Sequence, residues 1–347
     1  MYEIERLSFS LLKDAIVSNA SDIHLIPSPN DYYIQYRIHG KIFKKKNLSS
    51  KYAERLISHL KYQSGMDIGE RRKAQSTMMT ITIQNQHFDL RLSTLPAMSQ
   101  ESLAIRISKA SFNTAPKNLP LIPSKSLFLE KILLYSHGLV IIAGPTGSGK
   151  TTTLYSLIQE LILQRNKMVI TVEDPIEKTI DQAIQVQVNE KAGIFFEQGL
   201  RSILRHDPDI IIIGEIRDRK TAKVALEAAL TGHLVISTLH THNCYSAILR
   251  LLDFGLSRVE LAEAARMFIA QRLVMTICPI CQFQNIHCPH FSYRTRKAIY
   301  EKVEGELLSS QILQLNQVSY RSLNREVALA WALGYVDQIE VERLIEE

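Results

Sequence analysis

At 347 residues the chain has room for two domains and little more. Hydrophobic residues make up 46% and charged residues 22%, which excludes a disordered or low-complexity chain, and no apolar run approaches the roughly 20 residues that cross a bilayer as a helix. The formal net charge of +6 is uneven: residues 1–125 hold 18 Lys and Arg against 10 Asp and Glu, the remainder 23 against 25, so the front half suits phosphate, anionic lipid or an acidic partner, or simply a solvated face.

The opening MYEIERLSFS is acidic and lacks an apolar signal core, so a cytoplasmic protein is expected. In chain order, Glu3 to Ala20 has helical periodicity, with Leu7, Leu11, Leu12, Ala15 and Ile16 on one face. Ile34, Tyr36 and Ile38 alternate with polar residues, as in a half-buried strand. Lys44, Lys45 and Lys46 read as a basic turn, and Lys51 to Gln63 as a helix with Leu56, Ile57 and Leu60 inward. Strands are expected at Thr80 to Ile83, His87 to Leu92 and Leu103 to Ile107; their alternation puts Arg91 and Arg106 on the polar face. This outlines an α+β domain over 1–112. Residues 113–124, with Pro116, Pro120 and Pro123, read as a linker.

Beyond it, strands alternate with helices, the signature of a mainly parallel α/β sheet. Strands are expected at Leu139 to Ala143, Met168 to Glu173, Ile210 to Ile213 and Leu234 to Leu239, and helices at Thr151 to Leu163, Glu197 to Arg205 and Thr221 to Leu230. That second domain spans 125–290. From about Ser257 the pattern looks helical, apart from a cysteine-rich stretch at 278–290, leaving 291–347 as a helical C-terminal region.

The sharpest chemical signal is Gly144-Pro145-Thr146-Gly147-Ser148-Gly149-Lys150-Thr151-Thr152, which has Walker A spacing between a buried strand and an amphipathic helix. Its glycines let backbone N–H groups close on ATP phosphates, Lys150 supplies a cation, and Thr151 offers a hydroxyl to Mg²⁺. The strand Ile210 to Ile213 runs into Gly214 and Glu215; an acid there holds Mg²⁺ or orients the attacking water. Glu173, Asp174 and Glu177 crowd another strand end and need metal, water or an arginine to offset their repulsion, with Arg201, Arg205 and Arg217 as candidates. His233 and His240 bracket a strand, where a histidine can donate to a γ-phosphate. Cys278 and Cys281 form a C-x₂-C knuckle which, with Cys288 and His290 (or His287), can fill a tetrahedral Zn²⁺ shell.

These blocks, in this order, resemble the secretion and type IV pilus ATPase family of type II secretion E-like motors. The run Leu204-Arg-His-Asp-Pro-Asp-Ile-Ile-Ile-Ile-Gly-Glu-Ile-Arg-Asp218 is close to that family's signature. Ala20-Ser-Asp-Ile-His24, Tyr36-Arg-Ile-His-Gly40, Met66-Asp-Ile-Gly-Glu-Arg71 and Asp89-Leu-Arg-Leu-Ser-Thr-Leu-Pro96 match its N-terminal motifs. The likeness departs at Gln100-Glu101 and at Ala74 to Thr77, both in the N-terminal domain. It implies a RecA-like P-loop NTPase domain behind a smaller, PAS-like α+β domain. It also implies ATP hydrolysis with Glu215 or Glu173 handling water, and a homohexamer acting on a polytopic membrane platform protein. Arg91 and Arg106 match the family's nucleotide-reaching arginines; ion pairs to Asp89 or Glu101 are the plainer alternative. Compact length and Val186-Gln-Val-Asn-Glu-Lys-Ala-Gly193 are most similar to members that assemble competence pseudopili for DNA uptake in Gram-positive bacteria. Such a motor associates with the membrane through its partners and does not itself bind nucleic acid. A helicase-like nucleic-acid motor and a retraction-type pilus motor are the alternatives, although the C-terminal helix motif of retraction motors is missing from Tyr320 to Glu347.

Overall fold

The computed structural model describes residues 3–97, 100–109, 114–165, 167–189, 195–278, 280, 295–314 and 320–346. They form two compact units, Met1–Phe112 and Asn113–Glu347.

In the first unit, helix α1 (Glu3–Val17) leads into β1 (Ala20–Pro27), β2 (Asp31–Ile38) and β3 (Lys41–Ser49), followed by α2 (Ser50–Gln63) and β4 (Gln75–Ile83), β5 (Gln86–Ala97) and β6 (Gln100–Lys109). The six strands are ordered β3-β2-β1-β6-β5-β4, every pair antiparallel. Alternation does the sorting: Tyr32, Ile34, Tyr36 and Ile38 of β2 are buried, and their neighbours are not. The two helices cover that apolar face. Leu11, Leu12 and Ala15 of α1 are buried, and the Tyr36 hydroxyl donates to the Leu11 carbonyl. Lys61 of α2 is fully buried and donates to Glu101 at 2.9 Å and to the Glu70 carbonyl at 2.7 Å. Lys44 to Lys46 are not a turn. They lie on edge strand β3, and the turn is at His39 and Gly40, both at positive φ, the twist a two-residue hairpin needs. A lysine-rich edge also discourages strand addition.

The second unit contains α3 (Leu127–Ile132), β7 (Gly138–Ala143), α4 (Lys150–Arg165), β8 (Val169–Glu173), β9 (Ile184–Gln187), α5 (Phe196–Ile203), β10 (Ile210–Ile213), α6 (Arg219–Leu230), β11 (Leu234–Leu239), α7 (Cys244–Asp253) and α8 (Arg258–Ala264). It continues through β12 (Ala265–Met275), β13 (Arg296–Glu304), α9 (Gly305–Gln314), α10 (Leu323–Ala332) and α11 (Gln338–Glu346). Its seven-stranded sheet is ordered β13-β12-β7-β11-β10-β8-β9, parallel except for the β12–β13 pair. Continuous apolar runs such as Ile210–Ile213 are buried on both faces, as a covered parallel sheet requires. Successive β7 residues feed opposite cores: Leu139, Ile141 and Ala143 pack with α6 and α7, Val140 and Ile142 with Leu154, Leu157 and Ile158 of α4.

Two expectations need correction. The stretch after Ser257 is not wholly helical, because Ala265–Met275 and Arg296–Glu304 are strands of the main sheet, so 291–347 is not a separate helical region. Alternation there is hidden because β12 is buried on both sides. Residues 116–124 do not run as a free linker either. Leu119 and Leu121 are buried, and backbone bonds from Leu121 N–H to the Ala298 carbonyl and from Ala298 N–H to the Leu119 carbonyl tie the segment to β13.

Candidate functional site

The loop from Gly144 to Gly149 joins the carboxyl end of β7 to the first turn of α4, the edge at which open α/β sheets hold ligands. At Gly149, φ is +87°, and a side-chain carbon would come within 2.7 Å of Gln271 Nε2. At Gly144 one would meet the Gln271 carbonyl oxygen at 2.8 Å. Glycine is required here by the close approach of β12, and the bare backbone leaves the loop's inner side open. Ser148 is buried, and its Oγ has no hydrogen-bond partner among the described residues. Lys150, 8% exposed, turns its ammonium inward onto the carbonyls of Gly144 (2.7 Å) and Pro145 (3.0 Å). Burial pushes its pKa down to about 8; the nearby Arg272 cation acts in the same direction, and Glu215 and Glu177 oppose it. Thr151 and Thr152 follow in the first turn, half-buried.

Glu215 stands just beyond β10. Its carboxylate pairs with Arg217 and with His240 Nε2 at 3.1 Å, and Arg217 also reaches Asp174 at 3.1 Å. Burial holds His240 below its ordinary pKa, with Lys150 and Arg217 adding to the effect against Glu215. The acids Glu215, Asp174 and Glu177 therefore gather with Lys150, Arg217 and His240 at one sheet edge. Of the three arginines considered, Arg217 is the offset for Asp174; Arg201 pairs with Glu197 instead.

Glu173 differs from its neighbours. It is 5% exposed and accepts from the Tyr155 hydroxyl, from Thr171 Oγ1 (2.6 Å) and from Gln185 Nε2 (3.1 Å). A carboxylate so engaged braces α4 against β8 and β9. Burial, reinforced by Glu173, raises the Tyr155 pKa, which keeps the phenol a donor.

His233 stands apart from the Gly144 loop of its own chain. His233 precedes β11, its Nδ1 lies 3.1 Å from the Ala228 carbonyl, and its own carbonyl accepts from Gly138 N–H where β7 begins. That is the opposite edge of the sheet, about 20 Å from the Gly144 loop at ~3.3 Å per strand residue. Cys278 is buried, and its Sγ accepts from Ile280 N–H at 3.4 Å. Cys281, Cys288 and His290 lie outside the described residues, and among those described no group of three His, Cys, Asp or Glu is placed to hold a metal. On the first unit, Arg91 and Arg106 are exposed and sit directly opposite each other. Arg106 bonds Asp22 rather than Asp89 or Glu101; Thr80 donates to Asp89, and Lys61 holds Glu101.

Sequence reasoning missed Gln271 and Arg272. Gln271 Oε1 accepts from Thr153 Oγ1 at 2.8 Å, and Arg272 donates to the carbonyls of Gln271 (3.1 Å) and His242 (3.0 Å). Two polar residues inside the apolar run Phe268 to Val274 were the available signal.

The residues fit a nucleoside triphosphate. An open glycine loop, an orphaned buried hydroxyl and an inward lysine offer donors to phosphate oxygens, and the Thr151 hydroxyl and Glu215 carboxylate are the hard oxygen donors that Mg²⁺ prefers.

Comparison with known proteins agrees with this chemistry. The family model described as "Type II/IV secretion system protein" matches residues 2–331. The chain is 41% identical over 351 residues to Competence protein ComGA of Bacillus subtilis, covering 99% of each. It is 40% identical over 280 residues to Type II secretion system protein E of Aeromonas hydrophila, covering 80% of this chain and 56% of that one. Among solved structures, the pilus retraction motor PilT with bound ADP aligns at TM-score 0.71 and 26% identity over 99% of this chain and 97% of that one. The Legionella pneumophila ATPase DotB aligns at 0.75 and 24% identity over 98% and 95%, a likeness of fold. The mixed α/β fold is thus that of secretion and pilus ATPases, and with a family model spanning nearly its whole length this chain belongs to the Type II/IV secretion system protein family.

Proposed function

We propose that this chain is the ATP-hydrolysing motor that powers assembly of a competence pseudopilus for DNA uptake. The observation that carries this reading is its end-to-end likeness to Competence protein ComGA, 41% identical across 99% of both chains. The second unit is read as a RecA-like P-loop domain and the first as its PAS-like companion. Loop N–H groups from Gly144 to Thr151 and the N-terminus of α4 hold the phosphates of ATP. Lys150 turns from the Gly144 and Pro145 carbonyls to the β/γ-phosphate oxygens. Mg²⁺, held by Thr151 and Glu215, would neutralise charge that develops between the phosphates. Water attacks the γ-phosphorus, and the bond to the β–γ bridging oxygen breaks. Glu215, with its carboxylate oriented by Arg217 and His240, positions that water, while Glu173, bonded to α4, β8 and β9, holds the strand end in place. His240, kept largely neutral, donates a ring N–H. Arg91 and Arg106 stabilise the transferring group's charge, a contribution of roughly 10³–10⁵ in rate for such arginines.

In this reading the working form is a homohexamer in the cytoplasm. It reaches the membrane through a polytopic platform protein and the pseudopilus machinery, without touching nucleic acid. The test is a deletion strain complemented with wild-type or Lys150→Ala protein. Pseudopili and transformation should return together with the wild type only. Pseudopili persisting in the deletion strain would overturn the assembly role.

A further inference from the structure

Three arginines of the first unit lie in one row on the sheet face that α1 and α2 leave uncovered. Cross-strand register sets Arg37 of β2 beside Asp22 of β1, Asp22 beside Arg106 of β6, and Arg106 beside Arg91 of β5. Asp22 is the carboxylate of that row. Its side chain is 11% exposed, while that of Arg106 is 72% exposed. Arg106 Nε donates to Asp22 Oδ1 at 3.0 Å, and Arg37 Nε lies 3.7 Å from Oδ2. Ser21 Oγ also donates to Oδ2, at 2.8 Å, and the far end of Arg37 is pinned to the Gly40 carbonyl at 2.9 Å.

The geometry is that of a clamp. Arg106 engages Asp22 through its Nε edge, so its terminal Nη atoms remain directed to other acceptors. Burying a carboxylate costs free energy, and pairing it with exposed arginines returns little stability. Orientation is the better account of such a residue. In the adjacent row stands His24, cross-strand from Gln35 and Ala104, with an Nε2 that is buried and has no hydrogen-bond partner among the described residues. With three guanidinium groups against one carboxylate, the row is net cationic and faces outward.

We infer that Asp22 is a positioning residue that grips Arg37 and Arg106 from the buried side, so that with Arg91 they form a three-guanidinium cradle for a phosphate group. Arg37 thereby joins Arg91 and Arg106 as a phosphate-facing residue. This rests on the reading in which Arg91 and Arg106 serve the nucleotide, and it adds the residue that aims them.

The experiment is steady-state ATP turnover of the full-length protein carrying Asp22→Asn, Arg37→Ala, Arg91→Ala, Arg106→Ala and the Asp22→Asn/Arg106→Ala double change, with thermal unfolding of each. Asp22→Asn keeps shape and removes charge. It should lower kcat by about 10- to 100-fold, as a misaimed group does, with KM for ATP within about twofold and the melting temperature nearly unchanged. Arg37→Ala should also lower kcat. The double variant should be no slower than Arg106→Ala alone, because Asp22 acts through that arginine. A merely structural Asp22 would instead lose turnover in step with melting temperature. Wild-type kcat in Asp22→Asn while Arg106→Ala is impaired, or losses that simply add, would overturn the clamp and leave the arginine reading intact. Normal kcat in both Arg106→Ala and Arg91→Ala would remove the arginine reading, and the clamp with it.

Discussion

Lys150 bears its charge in a place that disfavours it, and this sets a pH signature. Its folded-state pKa of about 8 lies below the ordinary lysine value, chiefly through burial. The cationic form, the one that binds phosphate, is therefore present below that pH and lost as pH rises through it. The kcat/KM for ATP, which reports the free enzyme, should fall with an apparent pKa near 8. In Lys150→Arg, where the cation cannot deprotonate, that limb should vanish even though overall turnover is lower. A profile flat to pH 9.5 in the wild type would contradict this. The same shift makes the unfolded chain bind more protons between about 8 and the ordinary lysine range, so this group's contribution to stability rises with pH there. Glu215→Gln should cost at least roughly 100-fold in turnover, as losing one preorganised group at a transition state does, while ATP remains bound. Rapid hydrolysis of the trapped nucleotide would take Glu215 out of the mechanism.

At the scale of elements, Glu173 and Glu301 do the bracing. Glu173→Ala leaves three donors from α4, β8 and β9 without their acceptor, and should cost about 1–3 kcal/mol per stranded buried group at most, seen as a lower urea midpoint. Glu301 is buried on β13; its two oxygens accept the N–H of Cys244 (2.8 Å), which opens α7, and of Leu323 (3.1 Å), which opens α10. Glu301→Ala should destabilise by a similar amount and loosen α10 first, as faster amide exchange at 323–332 than in β7. Equal protection of both segments would mean the double cap matters little. Much of this architecture was legible beforehand. The alternation in β2, β5 and β6 and the apolar runs of β7, β10 and β11 announced themselves, as did the glycine loop. What stayed hidden was decided by tertiary context. β12 is buried on both faces and so has no alternation; β3 is polar because it is an edge; and Pro120 looked like linker because its pairing with Ala298 joins residues far apart in sequence. At the candidate site, the placing of Glu215 and His240 at one sheet edge was readable from strand-end position, and that of Lys150 from the glycine-rich spacing before α4. That His233 and His240 fall at opposite ends of β11 follows from the six residues of strand between them, and only the carboxyl end faces the loop.

For the whole molecule, charge and chemistry divide between the two units. Residues 1–112 hold 16 Lys and Arg against 10 Asp and Glu, so the formal +6 of the chain falls there, and residues 113–347 balance at 25 each. The arginine row belongs to one compact unit and the glycine loop to the other. If the arginines serve the nucleotide as proposed, they do so either within a chain or for a neighbour's nucleotide in the proposed ring. Mixed assemblies separate these cases. Arg91→Ala chains retain a sound loop, and Lys150→Ala chains retain sound arginines; alone, each should be nearly inactive. If the arginines act across subunits, an equimolar random mixture pairs a sound loop with sound arginines at about a quarter of its head-to-tail interfaces, and turnover should return to at most that fraction of wild type. If they act within a chain, no interface is repaired and the mixture stays as inactive as its parts. Subunit exchange must be demonstrated first, by energy transfer between differently labelled chains. With exchange shown, recovery assigns the arginines to the neighbouring subunit and makes the ring the unit of catalysis, because no isolated chain then holds a complete site.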